Sequence, residues 1–320
     1  MAVAERKTFT IGTRKSKLAL LQTDIVRNAL QAVWPDCEFK VHSRDPAGDR
    51  DKVTPLREFT TKNLWTEELE ELLIAKQLDL VIPSSCLLGA VMKRENPRDV
   101  LVMKKGIPSM TLAELPPDSV VGTSSVRRTA QLARHYPHLK VQDVRGNIET
   151  RLAKLDAEDG PFTCLILAAA GLLRASHEDR ITQYLDAKDG KMLHAVGQGA
   201  LGIEIRADDE VMKDMIHKIG DVKTTYACLA ERNLLRVLEG GCSAPIGVET
   251  EWIQGNDGED LLRLRSVVAS VDGKEAVEIE KDGVVKSNEE AEAFGEKAAM
   301  DLVDKGAGKI LEAIQRKRIW

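Results

Sequence analysis

The 320-residue chain has no excess of positive charge and no long apolar run. Its 46 lysines and arginines face 51 aspartates and glutamates, so the net charge is −5. We therefore expect no nucleic-acid partner and no membrane partner, and any anion binding must come from local clustering. No stretch of about 18 apolar residues suggests a membrane span. The first residues lack the apolar core of a secretory signal, which leads us to expect a cytoplasmic protein.

The chain also lacks paired cysteines. Its five cysteines are far apart, no C-x-x-C occurs, and their number is odd. This usage argues against a disulfide framework and against a cysteine zinc site. Of the six histidines only His135 and His138 lie close together, and Pro137 between them disrupts helical spacing. We therefore expect no metal.

Short apolar runs alternate with helical patterns over the first two-thirds of the chain. T-F-T-I-G predicts a strand, and residues 18–33 predict a helix. Apolar runs next to helical patterns recur at L-D-L-V-I, V-V-G and T-C-L-I-L, which predict further strands. This alternation predicts α/β units with largely parallel sheets, without an internal repeat. We expect the chain to pass between lobes around 96–99 and 197–200.

The last hundred residues have a different pattern. Strands are predicted consecutively near 244–252, 261–271 and 274–280, linked by polar turns. An alanine-rich helix near 288–304 and a short terminal helix follow. Consecutive strands followed by helices predict a small α+β domain.

One strand-to-helix turn, G-T-S-S-V-R-R, combines hydroxyls with arginines. One of Thr123, Ser124 and Ser125 is expected to cap the following helix. Arg127 and Arg128 then fall in its first turn, where the helix dipole disfavours a cation by up to about 1 kcal/mol each. A bound anion would reverse that cost, because free N–H groups at a helix start favour one.

The next turn, V-R-G-N-I-E-T-R-L, repeats the arrangement. Asn147 is a good N-cap, Arg145 precedes the helix, and Arg151 lies one turn inside it. Both arginines are expected to reach one anion at the helix start. A planar guanidinium suits a carboxylate or phosphate better than a lysine does.

A third basic turn, I-G-T-R-K-S, places Arg14 and Ser16 before a helix. Residues 122–151 carry a local excess of +4, from five arginines and one lysine against one aspartate and one glutamate. Each arginine alone is compatible with a solvated helix surface. The recurrence at three turns favours an anion-binding cleft at the carboxyl ends of the strands.

Cys242 lies in L-E-G-G-C-S-A-P-I-G, after a strong helical pattern that Gly240 and Gly241 are expected to end. The glycines leave room for a bulky group. A packing role, a nucleophile and an attachment site all remain open on this local chemistry. No histidine lies nearby in sequence, which argues against a Cys–His catalytic pair.

The motifs together resemble one known family, the hydroxymethylbilane synthases, also called porphobilinogen deaminases. The matching blocks are I-G-T-R-K-S-K-L-A-L-L-Q, V-V-G-T-S-S-V-R-R-T-A-Q-L, V-R-G-N-I-E-T-R-L-A-K-L-D, L-A-A-A-G-L-L-R, A-V-G-Q-G-A-L-G-I-E and L-E-G-G-C-S-A-P-I-G. Their order and spacing cover nearly the whole chain.

The resemblance implies an α/β fold with two periplasmic-binding-protein-like lobes and a small C-terminal α+β domain. Lobe 1 would comprise residues 1–100 and 195–215, lobe 2 residues 101–194, and the C-terminal domain residues 216–320. It implies a monomer in which Cys242 holds a dipyrromethane cofactor through a thioether. Four porphobilinogen units would be added head to tail with loss of ammonia, giving a growing polypyrrole that water releases.

The resemblance also implies two sets of site residues at matching positions. Besides Cys242, the residues expected to bind the cofactor are Lys62, Thr123, Ser125, Arg127, Arg128, Arg145 and Gln198. The residues expected to bind the substrate are Arg14, Ser16, Gln22, Arg151 and Arg174. These polar and cationic side chains would suit the acetate and propionate of each pyrrole.

The chain departs from the family at one place. The family carries H-S-x-K-D-x-P after the strand that matches L-D-L-V, whereas this chain runs L-D-L-V-I-P-S-S-C-L-L-G. The expected catalytic aspartate and lysine are therefore absent between Val81 and Pro83, and Asp79 precedes the strand. We expect impaired turnover, or an isoform that only binds the cofactor or anionic pyrroles.

Two other functional classes would share some of these features with the family that the motifs resemble. A two-lobed anion-binding protein without chemistry would share the sheets and the arginine turns, but it would not need Cys242. A thiol-transfer or redox enzyme would use that cysteine, but it would need a second thiol or a base that the sequence does not supply.

Overall fold

The computed structural model describes residues 6–45, 67–82, 88–238 and 244–316. The chain divides into two units. Unit 1 comprises Met1–Arg94 and Ala200–Thr225, and unit 2 comprises Glu95–Gly199 and Tyr226–Trp320. The chain thus leaves unit 1 after Arg94 and re-enters it at Ala200. The residue bounds of the three expected domains stay a prediction.

The regular elements follow the alternation that the sequence predicts. In chain order they are β1 (Thr8–Arg14), α1 (Lys17–Val33), β2 (Glu38–Arg44), α2 (Glu67–Ile74), β3 (Leu80–Val81), β4 (Leu88–Val91), β5 (Asp99–Met103), β6 (Val120–Gly122), α3 (Val126–His135), β7 (Lys140–Gln142), α4 (Ile148–Asp156), β8 (Cys164–Ala168), α5 (Ala169–Arg174), β9 (Gln183–Leu185), β10 (Gly202–Ile205), α6 (Glu210–His217), α7 (Val222–Val237), β11 (Ile246–Gln254), β12 (Asp260–Ala269), β13 (Ala276–Gly283), α8 (Asn288–Asp304) and α9 (Ala307–Arg316).

Unit 1 is built on a five-stranded sheet in the order β2-β1-β3-β10-β4. Helix α1 begins where the Ser16 hydroxyl accepts a hydrogen bond from the Ala19 N–H. Val26 and Leu30, four residues apart, share the buried face of α1 and pack in one core with Phe9 of β1. The predicted strand and helix are confirmed here.

The sheet of unit 2 has the order β7-β6-β8-β5-β9. Its strand β8 is buried on both faces, because Cys164 and Ile166 belong to one core and Leu165 and Leu167 to another. This alternation follows from the two-residue period of a strand. It explains why T-C-L-I-L is a continuous apolar run.

The two five-stranded sheets share one topology, which the sequence did not reveal as a repeat. In each, the first three strands in the spatial order pair parallel and the last two pairings are antiparallel. The expectation of largely parallel sheets is therefore wrong for half of the pairings. Strands β10 and β5 follow the points where the chain enters a unit, so no helical crossover sets their direction.

The C-terminal part is the predicted α+β arrangement. Strands β11, β12 and β13 form an antiparallel sheet, and α7, α8 and α9 pack with it around one core. Helices α7 and α8 approach closely, because a Cβ on Gly295 would lie 2.1 Å from the Ala230 carbonyl oxygen. The predicted fold class, two α/β lobes with a C-terminal α+β domain, is confirmed.

Two segments connect the units, and within unit 2 they lie against each other. The Glu95 N–H donates to the Gly199 carbonyl oxygen at 3.2 Å. Gly199 has a φ of +83°, and a Cβ there would lie 2.5 Å from the Glu95 carbonyl oxygen. Both the backbone conformation and the close approach therefore require glycine at this position.

We expect Gly199→Ala to destabilise unit 2 by more than its backbone conformation alone explains. Gly106 is the matched control, because it has the same φ of +83° and nothing lies within 4 Å of its added Cβ. Gly106→Ala should cost about 1 kcal/mol through φ, and Gly199→Ala a further 1–3 kcal/mol, roughly, through overpacking. Urea unfolding measures both, and equal losses would contradict the close contact.

Candidate anion-binding site

Two basic turns of unit 2 lie side by side at one edge of its sheet. Strands β6 and β7 are parallel neighbours, with Gly122 opposite Gln142 at their carboxyl ends. The turns that follow carry Arg127 and Arg128 in one case and Arg145 in the other. We call residues 123–128 and 145–151 together the arginine edge.

The hydroxyls of the first turn organise the arginine edge. Ser125 caps α3 by accepting a hydrogen bond from the Arg128 N–H, which confirms one of the three predicted caps. The Ser124 hydroxyl donates to the Val144 carbonyl oxygen at 2.9 Å and accepts from the Val144 N–H at 3.1 Å. This reciprocal pair joins the two turns. Thr123 is buried beside them.

Arg127 and Arg128 point into the protein, where they meet an internal carboxylate. Asp99, at the start of β5, is fully buried, and the two arginines are 5% and 7% exposed. Arg127 Nη1 lies 2.6 Å from Asp99 Oδ2, and Arg128 Nη2 lies 2.7 Å from Asp99 Oδ1. The arginines also donate to the carbonyl oxygens of Leu193 and Ile166, respectively. The interpretation of these two as solvated surface charges is therefore wrong.

The pKa of Asp99 reflects its pairing with two arginines inside the protein. Burial alone would raise it, but the charges of Arg127 and Arg128 and their hydrogen bonds outweigh burial and hold the pKa well below its usual value. Burial lowers the pKa of Arg127, and the charge of Asp99 opposes that shift. Asp99 is therefore ionised at neutral pH, and it supplies the negative charge that the start of α3 requires.

Gln198, a predicted cofactor residue, joins this cluster from the second connecting segment. Its Nε2 donates to Asp99 Oδ1 at 2.9 Å and to the Pro97 carbonyl oxygen at 2.6 Å. Its Oε1 accepts from Arg127 Nη2 at 3.4 Å. The structure thus brings three distant parts of the chain together around one carboxylate.

The second turn of the arginine edge has a different charge balance. Asn147 caps α4 by accepting from the Thr150 N–H, as predicted, and Arg151 Nε donates to the Gly146 carbonyl oxygen. Burial, together with the charges of Arg128 and Arg145, lowers the pKa of Arg151 to about 10. An anion near these three arginines would offset both the burial of Arg151 and the repulsion from its like charges, and would raise the pKa of Arg151 again.

Arg174 lies at the connecting segments. It ends α5, and its Nη2 donates to the Gly199 carbonyl oxygen at 2.7 Å. The Nε–H groups of Arg127, Arg128 and Arg174 are buried and have no hydrogen-bond partner within the described chain. Buried donors of this kind normally find an acceptor, so their surroundings fit an acceptor-rich anionic group.

Unit 1 positions its own predicted residues around the start of α1. Arg14 ends β1, Ser16 caps α1, and Gln22 lies on the helix next to buried Thr23. The Thr23 hydroxyl donates to the Ala19 carbonyl oxygen at 2.9 Å, and its oxygen lies 2.7 Å from the Thr13 hydroxyl oxygen, at hydrogen-bond distance. These bonds hold the turn after β1 against the helix.

Asp79 has a structural position in unit 1, before β3. It is buried, and its carboxylate accepts from Arg6 and Arg206 and from the Thr10 N–H. These partners occupy both carboxylate oxygens. The expectation that Asp79 does not replace the family's aspartate agrees with this arrangement.

Comparison with known proteins gives one family over nearly the whole chain. Residues 9–214 match "Porphobilinogen deaminase, dipyromethane cofactor binding domain", and residues 225–304 match "Porphobilinogen deaminase, C-terminal domain". Porphobilinogen deaminase of Neurospora crassa is 48% identical, covering 98% of this chain and 96% of its own. The protein of the same name from Yarrowia lipolytica is 50% identical, covering 97% of this chain and 94% of its own. This chain belongs to the porphobilinogen deaminase family.

Several residues named in the sequence-based predictions lie outside the described residues. They are Lys62, Pro83, Gly240, Gly241 and Cys242. Among the described cysteines, Cys37, Cys164 and Cys228 are buried. Burial raises the pKa of Cys164 to about 12, so this thiol is a poor nucleophile.

The described part of the chain has neither a metal-ligand cluster nor a membrane-spanning helix. No group of three or more histidines, cysteines, aspartates or glutamates in this part of the chain is placed to hold a metal ion. None of the helices described is both long enough and apolar enough to cross a bilayer.

Sequence reasoning missed Asp99. It lies in N-P-R-D, which the sequence indicates only as a connection, and its partners are 28 and 29 residues away. One signal was present: two adjacent arginines at a helix start require a nearby anion. In this member of the porphobilinogen deaminase family, the Asp99 carboxylate supplies part of that negative charge from inside the protein.

We expect Asp99→Asn to destabilise the protein by about 3–5 kcal/mol, because two buried guanidinium groups lose their countercharge. Asp156→Asn is the control, since its carboxylate pairs with Arg180 at a more exposed place in unit 2. Chemical unfolding measures both, and we expect the control to lose about 1 kcal/mol.

The stability lost in Asp99→Asn should depend on pH. The folded pKa of Asp99 lies below its unfolded value, so its contribution is complete above about pH 4 and is lost as the pH falls through the folded pKa. The stability difference between wild type and Asp99→Asn should therefore stay constant from neutral to mildly acidic pH and narrow below about pH 4. A difference that narrows at neutral pH would contradict an ionised Asp99.

Proposed function

We propose that this chain is a hydroxymethylbilane synthase-type transferase of tetrapyrrole and heme biosynthesis. It would join four porphobilinogen units head to tail, each with loss of ammonia, on a primer attached to Cys242. The observation that carries this proposal is the arginine edge, with its converging cations and buried donors, in a chain of this family. Every pyrrole brings two carboxylates that such a surface can bind.

The cofactor is a dipyrromethane, and when bound it supplies the primer that the polypyrrole extends. The described residues fit it chemically, because unpartnered buried N–H groups and a depressed arginine pKa both favour an anionic group. We assign cofactor binding to Thr123, Ser125, Arg127, Arg128, Arg145 and Gln198, with Lys62 and the thioether at Cys242. We assign substrate binding to Arg14, Ser16, Gln22, Arg151 and Arg174.

These residues bind and orient carboxylates rather than transfer protons. Arginine stays charged at neutral pH, so its N–H groups hold the acetate and propionate groups in fixed directions. Arg127 and Arg128 start from a preset orientation because Asp99 fixes both. A pre-oriented site loses less entropy when the ligand binds.

We further propose that turnover is impaired, because the family's H-S-x-K-D segment is absent between Val81 and Pro83. The alignment with the Neurospora crassa protein extends over 330 residues, more than the 320 of this chain, which supports missing residues here. A group that stabilises developing charge is usually among the largest catalytic contributions. The second candidate function is therefore an isoform that binds the cofactor and anionic pyrroles without efficient turnover.

We also propose that the protein acts in the cytoplasm as a monomer. The family resemblance supports the monomer, and the sequence composition supports the location. Porphobilinogen and the growing polypyrrole are its proposed partners. We propose no nucleic-acid or membrane partner, which the net charge of −5 supports.

We expect the intact mass of the purified chain to exceed the sequence mass by one dipyrromethane. Cys242→Ser should remove that increment, because the serine hydroxyl forms no thioether. Cys37→Ser is the matched control, since Cys37 is buried and should leave the increment in place. Mass spectrometry decides: an unmodified wild-type chain, or an increment that survives Cys242→Ser, contradicts the attachment.

We expect insertion of the H-S-x-K-D segment between Val81 and Pro83 to raise the rate of hydroxymethylbilane formation at least ~100-fold, the usual size of a charge-stabilising contribution. An otherwise identical insert with asparagine in place of its aspartate is the control, and it should stay near the rate of the 320-residue chain. Steady production by the uninserted chain at the rate of the restored version would show that the segment is dispensable.

A further inference from the structure

A buried glutamate in the C-terminal part contacts the segment that reaches the arginine pair. Glu231, on α7, is 0% exposed. Its Oε2 accepts a hydrogen bond from the Gly197 N–H at 2.7 Å, and its Oε1 accepts from the Thr250 hydroxyl at 2.6 Å. A fully buried carboxylate is costly unless such partners satisfy it. Its placement against a connecting segment therefore requires an explanation.

The segment that Glu231 holds has an unusual backbone. Gly197 has a φ of +68° and Gly199 a φ of +83°, and neither lies in a helix or strand. The direction in which the side chain between them, Gln198, points therefore depends on the contacts that hold this turn, one of which is the turn's own bond from the Gln198 N–H to the Ala195 carbonyl oxygen. The Gly197 N–H bond to Glu231 is one residue away from that side chain.

The position of Gln198 in turn constrains the arginines, because its side chain contacts their cluster. Its amide contacts Asp99 and Arg127, and Asp99 holds both Arg127 and Arg128. A continuous chain of hydrogen bonds thus runs from α7 through the connecting segment to the start of α3. All of its members lie in unit 2.

Helix α7 is itself held firmly on the opposite side. Asn233 Nδ2 donates to the Glu292 carbonyl oxygen of α8 at 2.6 Å. Ala230 packs against Gly295 with no room for a side chain there. The carboxylate is therefore presented by a rigid support. The same helix ends five residues before the proposed attachment site, Cys242.

We propose that Glu231 is a positioning residue, which sets Gln198 and thereby the arginine pair for binding pyrrole carboxylates. This inference rests on the proposed function. Glu231 does not itself touch the ligand. It aligns the anion-binding residues of unit 2 from the helix that leads to the cofactor cysteine.

The test compares three variants in a Cys242→Ser background, so that no covalent step intervenes. The measured quantity is the dissociation constant of porphobilinogen by calorimetry, alongside the thermal unfolding midpoint. With no cofactor attached in this background, the carboxylates of porphobilinogen probe the positions that the cofactor's carboxylates would take at Arg127 and Arg128. Glu231→Ala should weaken binding at least tenfold. Glu231→Gln should bind within about threefold of the parent, because its Oε1 can accept from Gly197 and its Nε2 can donate to the Thr250 hydroxyl.

Asn233→Ala is the matched control for a merely structural effect. It removes a buried hydrogen bond from the same helix but does not touch the connecting segment. It should lower the unfolding midpoint while leaving the dissociation constant unchanged. Binding lost equally in Asn233→Ala and Glu231→Ala would overturn the positioning role, as would tenfold weaker binding by Glu231→Gln.

Thr250→Val covers the case in which Glu231→Ala does not fold. It removes only the hydroxyl that donates to Glu231 Oε1 and should weaken binding two- to fivefold, and an unchanged constant would then count against the inference. Failure of the parent to bind porphobilinogen would overturn the proposed function, and this inference with it. Binding by the parent that every variant retains would overturn the inference alone.

Discussion

One buried carboxylate, Asp99, fixes the relations among the parts of unit 2. It pairs with Arg127 and Arg128 in the buried interior, where an unmatched charge of either sign would cost several kcal/mol. Satisfying all three groups requires β5, the start of α3 and the second connecting segment to meet at one point. Leu193, whose carbonyl oxygen also accepts from Arg127, brings the neighbouring chain to the same place.

The arginines of unit 2 consequently fall into two groups. Arg127 and Arg128 already have an internal countercharge, and their orientation is set before any ligand arrives. Arg151 instead experiences the like charges of Arg128 and Arg145, which leaves this region with a demand for negative charge. The two groups therefore contribute differently to binding: Arg127 and Arg128 offer donors in a preset orientation, and the like charges around Arg151 add attraction for an anion.

Much of the fold was predictable because its signals are local. Ser16, Ser125 and Asn147 cap helices as their residue types indicate, and apolar runs located β1, β3, β6, β8 and the three C-terminal strands. The strands β2, β4, β5, β9 and β10 were not predicted. The antiparallel direction of β5 and β10 was missed, since no local pattern encodes strand direction. Asp99 and Glu231 were missed for a related reason: each is a single acidic residue whose role depends on partners far away in sequence. The family resemblance supplied residue identities that local chemistry alone left open.

The strand order of unit 1 has a consequence for the sequence of events during synthesis. Strand β10 pairs with both β3 and β4, so β4 has no place in the sheet until residues beyond 200 have been made. The α/β lobe of unit 2 lies within one uninterrupted stretch of chain and can close as soon as it leaves the ribosome. Unit 1 is therefore begun first but completed later. The edges of its unfinished sheet remain exposed to chaperones while the α/β lobe of unit 2 folds.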